Sequence, residues 1–255
     1  MYIKEKQDRG ERFEEITLGE RIWQFVRFTV VTGMIFAVSF LVMNFQSYKS
    51  IVSSVLNPEA QAQAEQVLTS SSTGAVRESL TVLPVLPTKR EEMKRFTFVD
   101  FPVAPTDNRI IIPKIGKSAP LVDMSTEYIS SELWSGLEQQ IQDGLRKGVV
   151  HYPGTAKPGQ YGNVFMTGHS SYYPWDDGKF KDVFALLGRL KEGDEFMVYY
   201  DQIKYVYKVT GKREVQPDEV NVLEQPQDKK IATLMTCTPV GTTLRRLIIQ
   251  AEQVS

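Results

Sequence analysis

The chain carries a single cysteine, Cys237, in the run TLMTCTPVGTTLRR from Thr233 to Arg246. A lone cysteine often serves only as a small buried hydrophobe. Its alternative is nucleophilic attack, and a peptide carbonyl then demands a proton carrier for the leaving amine and donors for the oxygen that becomes negative. The carrier must come from two histidines, His169 and His151. His169 follows an apolar run and Gly168, whose missing side chain lets the backbone bring the ring close to another strand. His151 stands in HYPG, a turn signature, and reads as a surface or groove-wall histidine. Two neighbouring arginines compete for the oxyanion, Arg245 and Arg246, and because strand neighbours point to opposite faces only one of them can face Cys237.

Other residues near these positions have weaker signals. Thr236 and Thr238 flank the nucleophile, as strand formers or as groups that orient substrate. Trp175, in YYPWDDGKF beyond His169, is read first as a buried anchor and second as an aromatic lip on a substrate groove. Asp176 and Asp177 beside it read as a turn rather than a calcium site. The histidines and the cysteine lack paired zinc-ligand spacing, so neither a metal nor another cofactor is expected.

The elements that must position these groups are mostly short strands. β-branched or aromatic runs bounded by Gly, Pro and Asp predict strands at Arg109–Ile112, Asn163–Thr167, Phe196–Tyr200, Tyr205–Gly211, Ile231–Thr236 and Leu247–Ala251. Apolar residues at helical spacing predict two helices, one through Leu133, Leu137, Ile141 and Leu145, the other through Phe180, Val183, Phe184, Leu187 and Leu190. Many strands and few helices favour a closed sheet. With 42% hydrophobic residues and a formal net charge of -1, the chain has the means for a core and lacks a nucleic-acid footprint.

The N-terminal third is of another kind. Phe28 to Met43 is free of charge, and residues 22–46 are long enough to span a bilayer, behind a tail at 1–21. Lys4, Lys6, Arg9, Arg12, Arg21 and Arg27 precede or open the span, against Lys49 just beyond it, which puts the N-terminus in the cytoplasm and the remainder outside. A cleaved signal peptide is the competing reading, from the small residues Ala60, Ala62 and Ala64. Residues 47–106, rich in Ser, Gln, Ala and Pro, read as an extracytoplasmic stalk with a helix-forming stretch at Pro58–Leu68. The alternating Phe96, Phe98 and Phe101 suggest a strand or lid docked on a domain at 107–255.

Four blocks of that domain resemble, in order, a known family. They are NRIIIPKIGKSAPLV (Asn108–Val122), HYPGTAKPGQYGN (His151–Asn163), GNVFMTGHSS (Gly162–Ser171) and IATLMTCTPVGTTLRRLIIQA (Ile231–Ala251). Together they are similar to the sortases, which the last two resemble through a strand ending in Gly-His and through TLxTC, a loop, Arg and an apolar run. The resemblance implies a mainly β, closed eight-stranded barrel with short helices. It implies catalytic roles for Cys237, His169 and Arg246, since in members with Thr-Pro after the cysteine the arginine stands nine residues on.

It further implies an LPXTG-like sorting signal on an exported protein as acyl donor. The acceptor would be an amine, either a wall precursor or a pilin lysine. No second apolar span follows Ala251, unlike many pilin-assembling members, and the subclass stays open. An exported cysteine peptidase, with water resolving the thioester, and a catalytically silent peptide-binding module are the other readings.

Overall fold

In the computed structural model, residues 18–57, 63, 65–66, 68–69, 104–125 and 134–255 are described. Helix α1 (Leu18–Met43) is a unit by itself. Its 26 residues rise about 39 Å at 1.5 Å each, more than the ~30 Å of a bilayer's hydrocarbon. With a mean hydropathy of 2.1 it is apolar enough to cross a membrane, and its place near the N-terminus fits an anchor or a signal sequence. It ends three residues short of the expected span, at Asn44.

The second unit, Met43–Ser255, is built on eight strands: β1 (Arg109–Ile112), β2 (Lys117–Asp123), β3 (Val149–His151), β4 (Gly162–Thr167), β5 (Glu195–Tyr200), β6 (Ile203–Val215), β7 (Lys230–Thr238) and β8 (Arg245–Gln253). They close into a barrel in the order β1-β2-β3-β4-β7-β8-β6-β5, with β5 returning to β1. β2/β3 and β4/β7 are parallel pairs, and the other neighbours are antiparallel. The expected closed eight-stranded barrel is the observed fold.

Alternation along each strand sorts its side chains. Val164 and Met166 of β4, Ala232 and Leu234 of β7, and Leu247, Ile249 and Ala251 of β8 point into the barrel, where they meet Phe196 and Tyr207. The intervening residues Phe165, Met235 and Ile248 lie on the outer face. The 3-10 turn at Val220–Leu223, in the β6–β7 connection, lays Val222 and Leu223 over them with Val215 and Tyr152. Cys237 and Arg246 continue this outer face.

Of the two expected helices, one forms and one does not. Helix α3 (Trp134–Lys147) buries Leu137 and Leu145 as its spacing predicts, with Leu133 outside the described residues. Phe180 to Leu190, by contrast, forms successive tight turns and a 3-10 turn at Leu187–Arg189 rather than an α-helix. The reason lies in burial and in a diverted donor. Val183 to Leu187 are all buried, so there is no polar face, and the Phe184 N–H is drawn out of the segment to the His169 carbonyl at 2.9 Å.

The stretch read as stalk opens on helix α2 (Phe45–Leu56), which packs against the barrel through Ile51 and receives a hydrogen bond from Arg189 at the Ser54 carbonyl. Residues 63, 65–66 and 68–69 are helical, as that stretch's composition suggests, and Leu68 packs against Ile111, Met197 and Tyr199. The Phe96, Phe98 and Phe101 alternation lies outside the described residues.

Candidate active site

Cys237 sits one residue before the end of β7, and in the antiparallel ladder with β8 its direct partner is Arg246, while Arg245 pairs with Thr238. Direct partners share a face. Arg246 is therefore on the side of Cys237 and Arg245 is not, which is the arrangement the sequence left to the register.

The other neighbour of β7 is β4, in parallel register from Gly162↔Lys230 to Thr167↔Met235. Two residues further, this register sets His169 level with Cys237. The backbone there is pinned from three directions. Gly168 N donates to the Met235 carbonyl at 3.1 Å, the Thr236 hydroxyl donates to the Gly168 carbonyl at 2.8 Å, and Phe184 N donates to the His169 carbonyl. Gly168 has to be glycine, because a Cβ would lie 2.7 Å from the Phe184 ring and 2.9 Å from Val183. Thr236, 3% exposed, thus fastens the His169 turn to the Cys237 strand rather than facing substrate.

The His169 ring stacks on Tyr172 at 4.3 Å between centroids, and its buried Nε2 has no hydrogen-bond partner among the described residues. Burial pushes the imidazole down to about 4, against a smaller upward pull from Asp176. At neutral pH the ring is an uncharged base with an unclaimed nitrogen. Cys237 is half-buried and not in a disulfide. Arg246 holds its Nη1 on the Thr243 and Arg245 carbonyls, at 3.0 and 3.3 Å. A thiol, an uncharged imidazole and a guanidinium thus stand at the same level across three adjacent strands.

A sortase-domain family model matches residues 110–254, more than half of the chain and all eight strands but the first residue of β1. The chain belongs to the sortase family. Sortase D of Bacillus subtilis strain 168 is 25% identical over 147 residues, which are 56% of this chain and 62% of the relative. Sortase A of Bacillus anthracis is 28% identical over 149 residues, 57% of this chain and 59% of the relative. The chain thus matches less than two thirds of the length of these relatives. Among solved structures, a Clostridium perfringens sortase D5 transpeptidase is 26% identical with a TM-score of 0.46, over 58% of this chain and 79% of that one. Sortase C-1 from Actinomyces oris is 29% identical with a TM-score of 0.47, over 58% and 73%. With relatives named A, C and D, the subclass is unresolved.

Several residues of this sortase domain lie elsewhere than the sequence suggests. Trp175 is 67% exposed, so the buried-anchor reading is wrong. It stacks on Tyr173 instead of entering a core. Thr238 is half-buried beside Cys237, opposite Arg245. Asp176 and Asp177 do form a turn, in which Asp176 accepts from Gly178 N at 2.7 Å and from Arg146 Nε at 2.9 Å. Among the described residues no three His, Cys, Asp or Glu side chains gather as a metal site.

His151 is neither at the surface nor on a groove wall. It is 5% exposed on β3, with Nδ1 2.8 Å from Asp123 Oδ1 and Nε2 2.9 Å from the Ala156 carbonyl. Its turn-like context hid this, because HYPG begins on the last residue of a strand.

Gln225 was missed altogether. Its Oε1 accepts from Ala156 N and Asn163 N at 3.1 and 3.0 Å, and its Nε2 donates to the Asn163 and Leu223 carbonyls at 3.1 and 2.9 Å. One amide thereby ties the β3–β4 loop and the start of β4 to the turn that covers the outer face. A lone Gln in a loop carries no sequence signal for this. A groove of about 440 Å³ lies at the far end of the same face from Cys237, where Arg213, Glu224 and Lys229 alternate with Val222, Ile231 and Ile248. It is remote from the thiol.

Proposed function

We propose that the chain is a membrane-anchored cysteine transpeptidase in which Cys237, His169 and Arg246 are the catalytic residues. The observation that carries this is the register: Cys237 directly opposite Arg246 on β8, with His169 level with it beyond β4. Because His169 is uncharged at neutral pH, it takes the Cys237 proton as Sγ attacks the Thr carbonyl of a sorting signal. Arg246 donates to the resulting oxyanion. Collapse breaks the C–N bond, the His169 imidazolium protonates the departing amine, and a Thr–Sγ thioester remains. An incoming amine then loses a proton to His169, attacks the thioester and forms the amide. The thiolate leaves and recovers the proton.

An LPXTG-like donor suits the surface beside Cys237. Met235, Leu223 and Tyr152 offer half-buried apolar atoms on its face, where Leu and Pro side chains find contact. The acceptor is a primary amine on the cell surface, of a wall precursor or a pilin lysine. α1 is the membrane anchor, and the Lys and Arg bias at its start places the N-terminus in the cytoplasm and the barrel outside. Thr238, paired with Arg245, faces away from the strip of Met235, Leu223 and Tyr152.

The full chain incubated with a Leu-Pro-x-Thr-Gly peptide should yield an acyl-enzyme by mass spectrometry, and Cys237→Ala should abolish it with the fold intact. Added amine should divert product from free acid to amide. Free acid alone at every amine concentration would favour the peptidase, and turnover by the alanine variant would sink the thioester.

A further inference from the structure

Beyond His169, aromatic rings run outward in contact. Tyr172 stacks on His169, Tyr173 meets Tyr172 edge-on at 5.2 Å, and Trp175 stacks on Tyr173 at 5.0 Å and 17°. The outer two are 52% and 67% exposed and belong to no core cluster. Large rings left in water on a monomer mark interaction surfaces. The loop that carries them is held in place: Asp176 N bonds the Tyr173 carbonyl at 3.1 Å, Asp176 takes the Gly178 N–H and the Arg146 guanidinium, and Lys181 Nζ donates to the Pro174 carbonyl at 3.0 Å. A surface fixed this way loses little entropy on binding.

We propose that Tyr173 and Trp175, reached from His169 through Tyr172, are the docking surface for the incoming acceptor, a flexible chain ending in a protonated amine. The inference rests on the transpeptidase reading and names where its second substrate arrives. Three observations select this occupant. The ring series ends on His169, the group that must receive the acceptor's proton. The apolar strip proposed for the donor, Met235, Leu223 and Tyr152, lies on other elements. π faces attract an ammonium, and the exposed carboxylate of Asp177, two residues from Trp175, is in no ion pair among the described residues, with Lys179 and Lys181 following it on the same loop. The ammonium held on the rings loses one proton to solvent before attack, and the second, released as the amide forms, passes through His169 to the departing thiolate.

The test uses the full chain, a Leu-Pro-x-Thr-Gly donor, and two acceptors compared across concentration. One is Nα-acetyl-lysine amide, which has the chain and the charge, and the other is hydroxylamine, which is small and mostly uncharged at neutral pH. Trp175→Ala should raise the KM for the lysine derivative roughly threefold to tenfold, the scale of one partly desolvated cation–π contact, and Tyr173→Ala combined with it should raise it further. Trp175→Phe, which keeps a π face, should recover most of the loss. The donor KM, the rate of thioester hydrolysis and transfer to hydroxylamine should not move.

A lysine-derivative KM unchanged in the double variant would overturn the proposal. So would equal losses for both acceptors, which would signal disturbance of His169, or a raised donor KM, which would put the sorting signal on these rings. Failure of the unaltered chain to form any acyl-enzyme would instead overturn the transpeptidase reading, and this inference with it.

Discussion

The two histidines of this chain sit in opposite surroundings. His151 is saturated. Asp123 faces Nδ1, while the Ala156 carbonyl and the Thr155 hydroxyl face Nε2, the latter at 3.2 Å. The Thr155 proton is committed to the Tyr152 carbonyl at 2.7 Å, so its oxygen can only accept from the ring. Both ring nitrogens are therefore engaged. Asp123 completes the set: burial raises its carboxyl, but hydrogen bonds from His151 and Tyr200 outweigh this and hold it below the ordinary range. His169 is the reverse, a half-buried ring against Tyr172 whose buried Nε2 has no partner among the described residues and whose proton affinity is lowered by burial. A polar group with every bond made is fixed, and one held firmly by its backbone with a nitrogen to spare is ready to move a proton.

The sharpest way to break the comparison is to remove each ring. His169→Ala should lower transfer by ~10²–10⁴-fold, the usual worth of general acid–base catalysis, with little change in Tm. His151→Ala should instead destabilise the fold by about 1–3 kcal/mol, the cost of buried partners left unsatisfied, while the protein that remains folded keeps most of its transfer rate. Steady-state kinetics beside thermal unfolding of both variants decides it. Greater loss of turnover from His151 would reverse the assignment.

Next in size is the arginine pair. Arg246→Ala should cost on the order of 10²–10³ in turnover, as loss of an oxyanion donor does, and Arg246→Lys should recover little because an ammonium lacks the planar fork. Arg245→Ala, paired with Thr238 on the other side, should be near neutral. Equal losses from both arginines would remove the register as the basis for choosing.

How far this site was legible from sequence depends on whether a residue's role is local. Gly168 before His169 was visible because close approach acts on adjacent residues, whereas Thr236 was read as a strand former or a substrate-orienting group and its bond to the Gly168 carbonyl was not foreseen. Strands such as Gly162–Thr167 and Lys230–Thr238 announced themselves by β-branched and aromatic runs. β2 did not, with Pro120 and small residues inside it, and neither did β3, three residues long and ending in HYPG. The segment from Phe180 to Leu190 was misread because a turn buried on all sides can imitate helical spacing. Trp175 was misread because aromatic residues usually go inside, and only the three-dimensional path from His169 shows why one stays out. Gln225 and the partners of His151 are joined across separations such as Gln225 to Ala156 and Asp123 to His151, for which a single sequence has no pattern.

The pH dependence of stability separates the histidines without touching activity. For His169 the folded value is about 4 against an ordinary 6.5, so between these limits the unfolded chain binds more protons than the folded one. Its contribution is present above pH 6.5 and is lost as pH falls toward 4. The lowered Asp123 acts in a different window, near and below the ordinary carboxylate value. Urea unfolding of the full chain from pH 7 to pH 4 should show a decline that His169→Gln flattens. An unchanged slope in that variant would mean His169 is not held neutral by burial.

The smallest effect belongs to the outer edge of the saturated network. Tyr200, at the end of β5, donates its hydroxyl to Asp123 Oδ2 at 2.8 Å, leaving Oδ1 to His151. Burial, with the Asp123 carboxylate adding to it, raises the phenol well above its ordinary range, so the hydroxyl keeps its proton and stays a donor throughout the physiological range. Tyr200→Phe deletes that single bond and leaves the ring's packing in the barrel core. It should cost about 0.5–1.5 kcal/mol, the net worth of one hydrogen bond, or somewhat more because the acceptor is charged. It should also move the acid limb of the stability curve upward, because Asp123 loses a donor that favours its ionised form. The acceptor and donor KM values should stay as they are, since Tyr200 belongs to the barrel core and not to the outer-face strip. A changed KM with unchanged stability would mean that Asp123, Tyr200 and His151 face substrate, and the division of labour between the two histidines would have to be redrawn.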